Sequence, residues 1–141
     1  MAFRFMMHRK ALLFAPDHPT AYAILSPNSP APHPRKLRQL GREIPNFSDE
    51  IWHKHRFEIV VEGNYLKFMQ NPDLKAQLLA TGQREIVEAS PRDKIWGVGY
   101  GAKNASANRR NWGLNLLGKA IMEVRERIRT EEADGMQAWD E

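Results

Sequence analysis

The chain has no cysteine among its 141 residues, which excludes disulfides and thiolate metal ligands. It also lacks any run of 18 apolar residues, and its apolar opening from Ala2 to Met7 is broken by Arg4 and followed at once by His8, Arg9 and Lys10. That pattern fits neither a membrane span nor a secretion signal, so the expected setting is the cytoplasm or the nucleus. There is no His-x-x-x-His pair. His53 and His55 stand about 200° apart around a helix and cannot grip one metal from one face; the plain reading puts His55 on a buried face and His53 in solvent. No metal and no other cofactor is expected. Ser90 precedes a proline and has no Gly-x-Ser-x-Gly setting. Gly97-Val-Gly99-Tyr-Gly101 lacks the Rossmann spacing and a surrounding βαβ unit.

Acidic residues are scarce everywhere except at the end. Residues 1–130 hold 21 basic and 12 acidic side chains, a surplus of nine, whereas Glu131 to Glu141 hold five acids and no Lys or Arg. The surplus suits a phosphate-bearing ligand or a nucleic acid, and equally a solvated basic surface. With 42% hydrophobic residues the length fits one domain with one core. The expected organisation is a single domain over residues 1–130 followed by a disordered acidic tail over 131–141.

Spacing and punctuation predict mostly helix. Phe3 to Phe14 has no internal Gly or Pro; Pro19 to Leu25 starts on a proline and is ended by Pro27. The prolines from Ser26 to Pro34 predict irregular chain. Arg35 to Leu40 predicts two turns stopped by Gly41. Ser48, followed by Asp49 and Glu50, caps a long helix reaching Gln70 despite Gly63. Asn71-Pro72 opens a helix that Gly82 closes. Arg84 to Ala89, with Ile86 and Val87, predicts a strand, Ser90 to Asn111 a loop, and Leu114 to Arg129 an amphipathic closing helix. The expected fold class is α+β, a helix-rich domain with a small β-sheet.

The chemistry gathers between the predicted strand and the last helix. Glu88 and Asp93 bracket the Ala-Ser-Pro-Arg turn, where acids can position a ribose hydroxyl, activate water or answer positive charge on a sugar carbon. The alternatives are a salt bridge for Glu88 and an Asx turn for Asp93. Trp96 and Trp112 can stack on a base or simply fill core. Gly97 and Gly99 either let backbone amides cradle a phosphate near Lys94 or Lys103 or make a tight turn. Lys10 lies among Met6, Met7, Leu13 and Phe14. A lysine partly desolvated there has a lowered pKa and a nucleophilic amine; one that snorkels is an ordinary surface residue.

Taken in order, Met6 to Phe14, Leu40 to Arg42, Asn64 to Phe68, Gln70-Asn71, Leu78 to Gly82, Val87 to Pro91, Asp93 to Gly99 and Trp112 to Gly118 resemble the NADAR family, also called YbiA-like, across nearly the whole chain. The resemblance implies N-glycosidase chemistry. The bond cleaved joins ribose to a nitrogen, either in phosphorylated pyrimidine intermediates of riboflavin synthesis or in ADP-ribosylated guanine, so nucleic acid enters only as a modified substrate. It implies Lys10 as a Schiff-base nucleophile, with Asp93 and Glu88 orienting the sugar and moving protons. Trp96, Gly97, Gly99 and Trp112 would shape the base and phosphate pocket, and Asn115 would add a polar contact or a cap. The family usually has a strand-rich segment before the lysine helix and a glutamate seven positions ahead of the lysine. Here that position is Phe3, which leads to the expectation of an N-terminally shortened chain. The alternative implied function is an ADP-ribose or nucleotide-binding module of the same fold.

Overall fold

A computed structural model describes residues 2–25 and 33–139. Most of the proline-rich stretch, and the ending of a helix by Pro27, lie outside the described residues. The elements are α1 (Ala2–Phe14), α2 (Pro19–Leu25), α3 (Pro34–Arg42), α4 (Asp49–Met69), α5 (Pro72–Ala80), α6 (Ala102–Ala105), a 3-10 turn over Ser106–Asn111 and α7 (Leu116–Gln137). The chain divides into two compact units, Met1–Gly63 and Asn64–Glu141.

In the first unit α1, α2 and α3 pack together, burying Met7, Ala11, Ala21, Ile24, Leu37, Leu40 and Ile44, with Phe3, Met6 and Phe14 against them. Pro34 takes the first helical position of α3, where a missing N–H costs nothing, and the His33 ring accepts from the Arg35 amide. Gly41 does not stop this helix. It lies inside α3 facing the Met7 sulfur, where a Cβ would come within 2.6 Å, so its smallness serves helix packing. Ser48 caps α4 as its sequence predicts, its hydroxyl accepting from the Ile51 amide.

In the second unit α5 packs on α7. Arg125 of α7, only 5% exposed, donates to the Thr81 hydroxyl and to the Arg84 carbonyl. Arg129 donates to the carbonyls of Leu79 and Gly82. Two guanidinium groups thus meet carbonyls at the end of α5, where the helix dipole is negative. Helix α7 runs to Gln137, so the acidic segment is helical over 131–137 where disorder was expected. Its acids have partners: Glu131 accepts from the Tyr65 hydroxyl at 2.6 Å and pairs with Arg127, and Glu132 pairs with Lys75.

The expected α+β class is wrong: no strand exists among the described residues. The segment from Arg84 to Ala89 has no regular secondary structure, and backbone groups on either side of Val87 that a neighbouring strand would pair meet a side chain instead. The Glu88 amide donates to Asn115 Oδ1 at 2.9 Å, and Asn115 Nδ2 donates to the Ile86 carbonyl at 3.0 Å. A carboxamide is chemically a peptide group, and here it occupies the place of one residue of a parallel partner strand. Asn115 itself is 4% exposed and left-handed at φ 51°, a conformation asparagine tolerates better than most residues.

Asn115→Ala leaves two buried backbone groups unpaired and puts a Cβ-bearing residue without a polar side chain in the left-handed region. The expected loss is about 2–5 kcal/mol of unfolding free energy, read as a fall in the urea midpoint. Asn115→Gly should lose less, since glycine relieves the backbone part.

Candidate functional site

Lys10 projects from α1 beside the turn that joins α3 to α4. Its Nζ lies 3.4 Å from the Gly41 carbonyl, 4.5 Å from the centre of the Phe47 ring and 5.6 Å from that of Trp52. Phe47 is held against Phe14, with ring centres 5.1 Å apart, and Trp52 stands in the first turn of α4 after the Ser48 cap. The ammonium therefore sits in a half-buried setting of two aromatic faces and a carbonyl. Burial pushes the Lys10 pKa below the ordinary lysine value, and the negative charge of Asp49 partly opposes that shift. Cation–π attraction holds the head in place, while lost hydration favours the neutral amine, the form that can attack carbon. Of these neighbours, Phe47, Asp49 and the Gly41 carbonyl carried no sequence signal of a site. Trp52 was legible only as part of the apolar stripe of α4.

The same unit has a cleft of about 500 Å³ lined by α1 residues Arg9, Leu12 and Leu13 and by α4 residues His55, Glu58, Ile59 and Glu62. His55 is exposed at this cleft, and not buried as expected; His53 is exposed too. No three His, Asp or Glu side chains form a metal-binding group among the described residues.

The other predicted site residues all belong to the second unit, where hydrogen bonds bring the turn of Ala89 to Gly99 against Asn115 and the start of α7. Val98 donates to the Glu88 carbonyl, Gly113 to Val98, Leu114 to Lys94 and Asn115 to Gly97. The amides of Leu116 and Leu117, at the N-terminus of α7, donate to the carbonyls of Ile95 and Trp96, so protein carbonyls already fill the place where an anion would bind.

Asp93 follows its Asx alternative. Oδ1 accepts from the amides of Ile95 and Trp96 at 2.9 and 2.8 Å, the geometry of a turn-stabilising side chain. Glu88 does not form the salt bridge considered for it. Half-buried, its carboxylate makes no hydrogen bond or ion pair among the described residues. Trp96 is half-buried. Trp112 donates its indole N–H to the Ala105 carbonyl at 2.7 Å, and the Arg109 guanidinium lies 4.6 Å from its ring centre, so one face is covered by protein. Gly97 has ordinary backbone angles but no room: a Cβ would meet the Glu88 carbonyl at 2.8 Å. Gly99 does need its freedom, with φ +82° and the Lys94 side chain against it. Both Asn115 amide groups bond to the 86–88 backbone, and Asn115 forms no side-chain cap on α7.

A lysine amine held among aromatic rings can act as a nucleophile once it is deprotonated. The profile of the NADAR domain matches residues 1–129, and the chain belongs to the NADAR family. It is 49% identical over 125 residues to an N-glycosidase of Acanthamoeba polyphaga mimivirus, covering 87% of this chain and 71% of that protein. An N-glycosidase of Nostoc punctiforme is 38% identical over 96 residues, 68% of this chain and 56% of that one. A chloroplastic riboflavin biosynthesis protein of Arabidopsis thaliana is 31% identical over 113 residues, 77% of this chain but 17% of the plant protein. The chain thus spans less than two thirds of the Nostoc and plant relatives. No helix among the described residues is long and apolar enough to cross a membrane.

A carbon-13 NMR titration of the lysine side chains should find Lys10 titrating below the ordinary lysine range. Asp49→Asn removes the contribution that opposes the shift, so Lys10 should then titrate lower still. An unchanged or higher value would show that the carboxylate does not act on the amine.

Proposed function

We propose that the chain hydrolyses the N-glycosidic bond between a ribose or phosphoribose and a base nitrogen. The observation that carries this reading is the placement of the half-buried Lys10 amine between the Phe47 and Trp52 rings and the Gly41 carbonyl, in a family whose named relatives include N-glycosidases. The neutral amine attacks C1′ of the ribose and gives up a proton. The C1′–N bond breaks, its electron pair stays on the base nitrogen, and a carboxyl group supplies the proton that nitrogen needs. The C1′–O4′ bond then breaks as the nitrogen lone pair forms the Schiff base on Lys10, and the ring oxygen takes up the proton that this nitrogen loses. Water adds to that carbon, and the amine leaves with its proton restored, so the net change is one water consumed, with a free base and a free ribose released.

Glu88 and Asp93 are the proposed proton-moving and sugar-orienting carboxylates, and Trp96, Gly97, Gly99, Trp112 and Asn115 the proposed surroundings of base and phosphate. The roles of Asp93 and Asn115 are the less direct ones, since their polar atoms already serve the turn and the segment before it. Two substrate classes fit: a phosphorylated ribosylaminopyrimidine of riboflavin synthesis, which the plant relative's name supports, and ADP-ribosylated guanine. The basic surplus of residues 1–130 suits the phosphates of either. The cytoplasm or nucleus is the proposed compartment.

A second reading, a nucleotide-binding module without turnover, is favoured by Phe3. Where the family usually has a glutamate, this residue packs against the first core with the Arg38 guanidinium 5.9 Å from its ring centre. It offers no acid.

Incubation with each substrate class and mass spectrometry of the products separates the two readings, because only the glycosidase releases base. Lys10→Ala should lower turnover by about 10³-fold or more, the scale expected for a missing nucleophile. Borohydride reduction during turnover should add one reduced ribose unit to the wild-type chain and none to Lys10→Arg. Full activity in Lys10→Ala would remove the nucleophile assignment.

A further inference from the structure

We infer that Asn115 is a positioning residue: by gripping the backbone on both sides of Val87, it fixes where the Glu88 carboxylate stands for the substrate. The inference rests on the glycosidase reading and deepens it by choosing between the two candidate acids.

Residue 88 is held at each of its backbone groups. Its amide donates to Asn115 Oδ1, and its carbonyl accepts from the amides of Val98 and Ser90, both at 3.0 Å. Gly97 lies so close to that carbonyl that no larger residue fits. On the other side of Val87, the Ile86 carbonyl accepts from Asn115 Nδ2. Gly118 of α7 packs directly on both the Ile86 carbonyl and the Asn115 carboxamide, leaving no space for a Cβ. With N–H and C=O both fixed, the direction of the Glu88 Cα–Cβ bond is fixed as well, which confines the carboxylate to the few positions that the side chain's staggered rotamers reach.

What departs is the side chain of a half-buried residue whose carboxylate has no hydrogen bond or ion pair among the described residues. Its oxygens are not among the buried, unpaired polar atoms of the described residues, so they stay open to water or to a ligand. Asp93, five residues on, spends Oδ1 on two backbone amides of its own turn. Glu88 is therefore the carboxylate free to meet a ligand, and Asp93 the one that shapes the turn.

The test is a double-mutant cycle on the full chain with whichever ribosyl substrate the wild type cleaves, at a temperature where circular dichroism shows every variant folded. Glu88→Gln should cost about 100-fold in kcat, the lower range for a positioned acid or base. Asn115→Gly, chosen because glycine accepts the left-handed backbone, should cost at least about ten-fold in kcat with KM changed little, as for a misplaced catalytic group. Asn115→Asp, which keeps the acceptor for the Glu88 amide but not the donor to Ile86, should fall in between. In the double variant the Asn115 loss should vanish, because no acid remains to be positioned. Wild-type kcat in folded Asn115→Gly, or losses that multiply in the double variant, would overturn the inference. If the wild type releases no base, the glycosidase reading fails by itself. The positioning claim is then decided by titrating ribose 5-phosphate while following the Glu88 carboxyl carbon by NMR. A shift in the wild type that is lost in Asn115→Gly supports it, and no shift in the wild type overturns it.

Discussion

One requirement organises the second unit: the segment from Arg84 to Ala89 must find partners for its peptide groups, and no strand lies beside it among the described residues. An unpaired buried amide or carbonyl costs as much as the loss of a hydrogen bond and more. Asn115 meets two of these needs with one side chain, and Arg125 meets a third at Arg84. The solution constrains everything nearby. Asn115 must be left-handed to aim its amide, α7 can start only after it, and Gly97, Gly113 and Gly118 must be small because backbone runs against backbone there.

The first unit solves a different problem. Lys10 needs enough burial to lower its proton affinity but enough attraction to keep its head from swinging into water. Two rings and a carbonyl supply the attraction without supplying a full counter-charge, and Asp49 acts in the opposite direction without cancelling the effect of burial. A salt-bridged lysine would be held equally well and would be useless as a nucleophile, because its proton would be harder to remove.

The helices were largely legible in the sequence. The runs from Pro19, Ser48 and Asn71 carry a cap or a starting proline, the run from Phe3 is free of Gly and Pro, and each became a helix close to its expected bounds. Three errors share one cause, which is that pattern reports local preference and not partners. Ile86 and Val87 suggest a strand, but nothing local says that an asparagine 29 residues after Ile86 takes the place of a strand partner. Gly41 looks like a stop and is a packing notch against Met7. Glu131 and Glu132 look like a solvated tail, yet Tyr65, Arg127 and Lys75 hold them to a helix. At the candidate site the turn residues from Glu88 to Asn115 were legible as a cluster, since they are close in sequence. The lysine's neighbours were not, because Phe47 and the Gly41 carbonyl reach Lys10 only through the packing of three helices.

The proposed reaction asks different things of a nucleophile and of a proton donor. A nucleophile that attacks a ring carbon and then carries an open-chain sugar until water releases it must travel with its cargo. A four-carbon stem between aromatic faces allows that, since cation–π and dispersion contacts tolerate sliding. A proton donor has no cargo. It acts at one nitrogen at one instant, and its worth depends on already being in place. Fixing such a group through its own backbone, by the carboxamide of Asn115 and the amides of Val98 and Ser90, leaves the carboxylate itself without internal bonds. Rigid placement and an unspent acid are hard to combine by side-chain contacts alone, because each contact that fixes a carboxylate also uses up one of its oxygens. Holding the peptide instead of the acid removes that conflict.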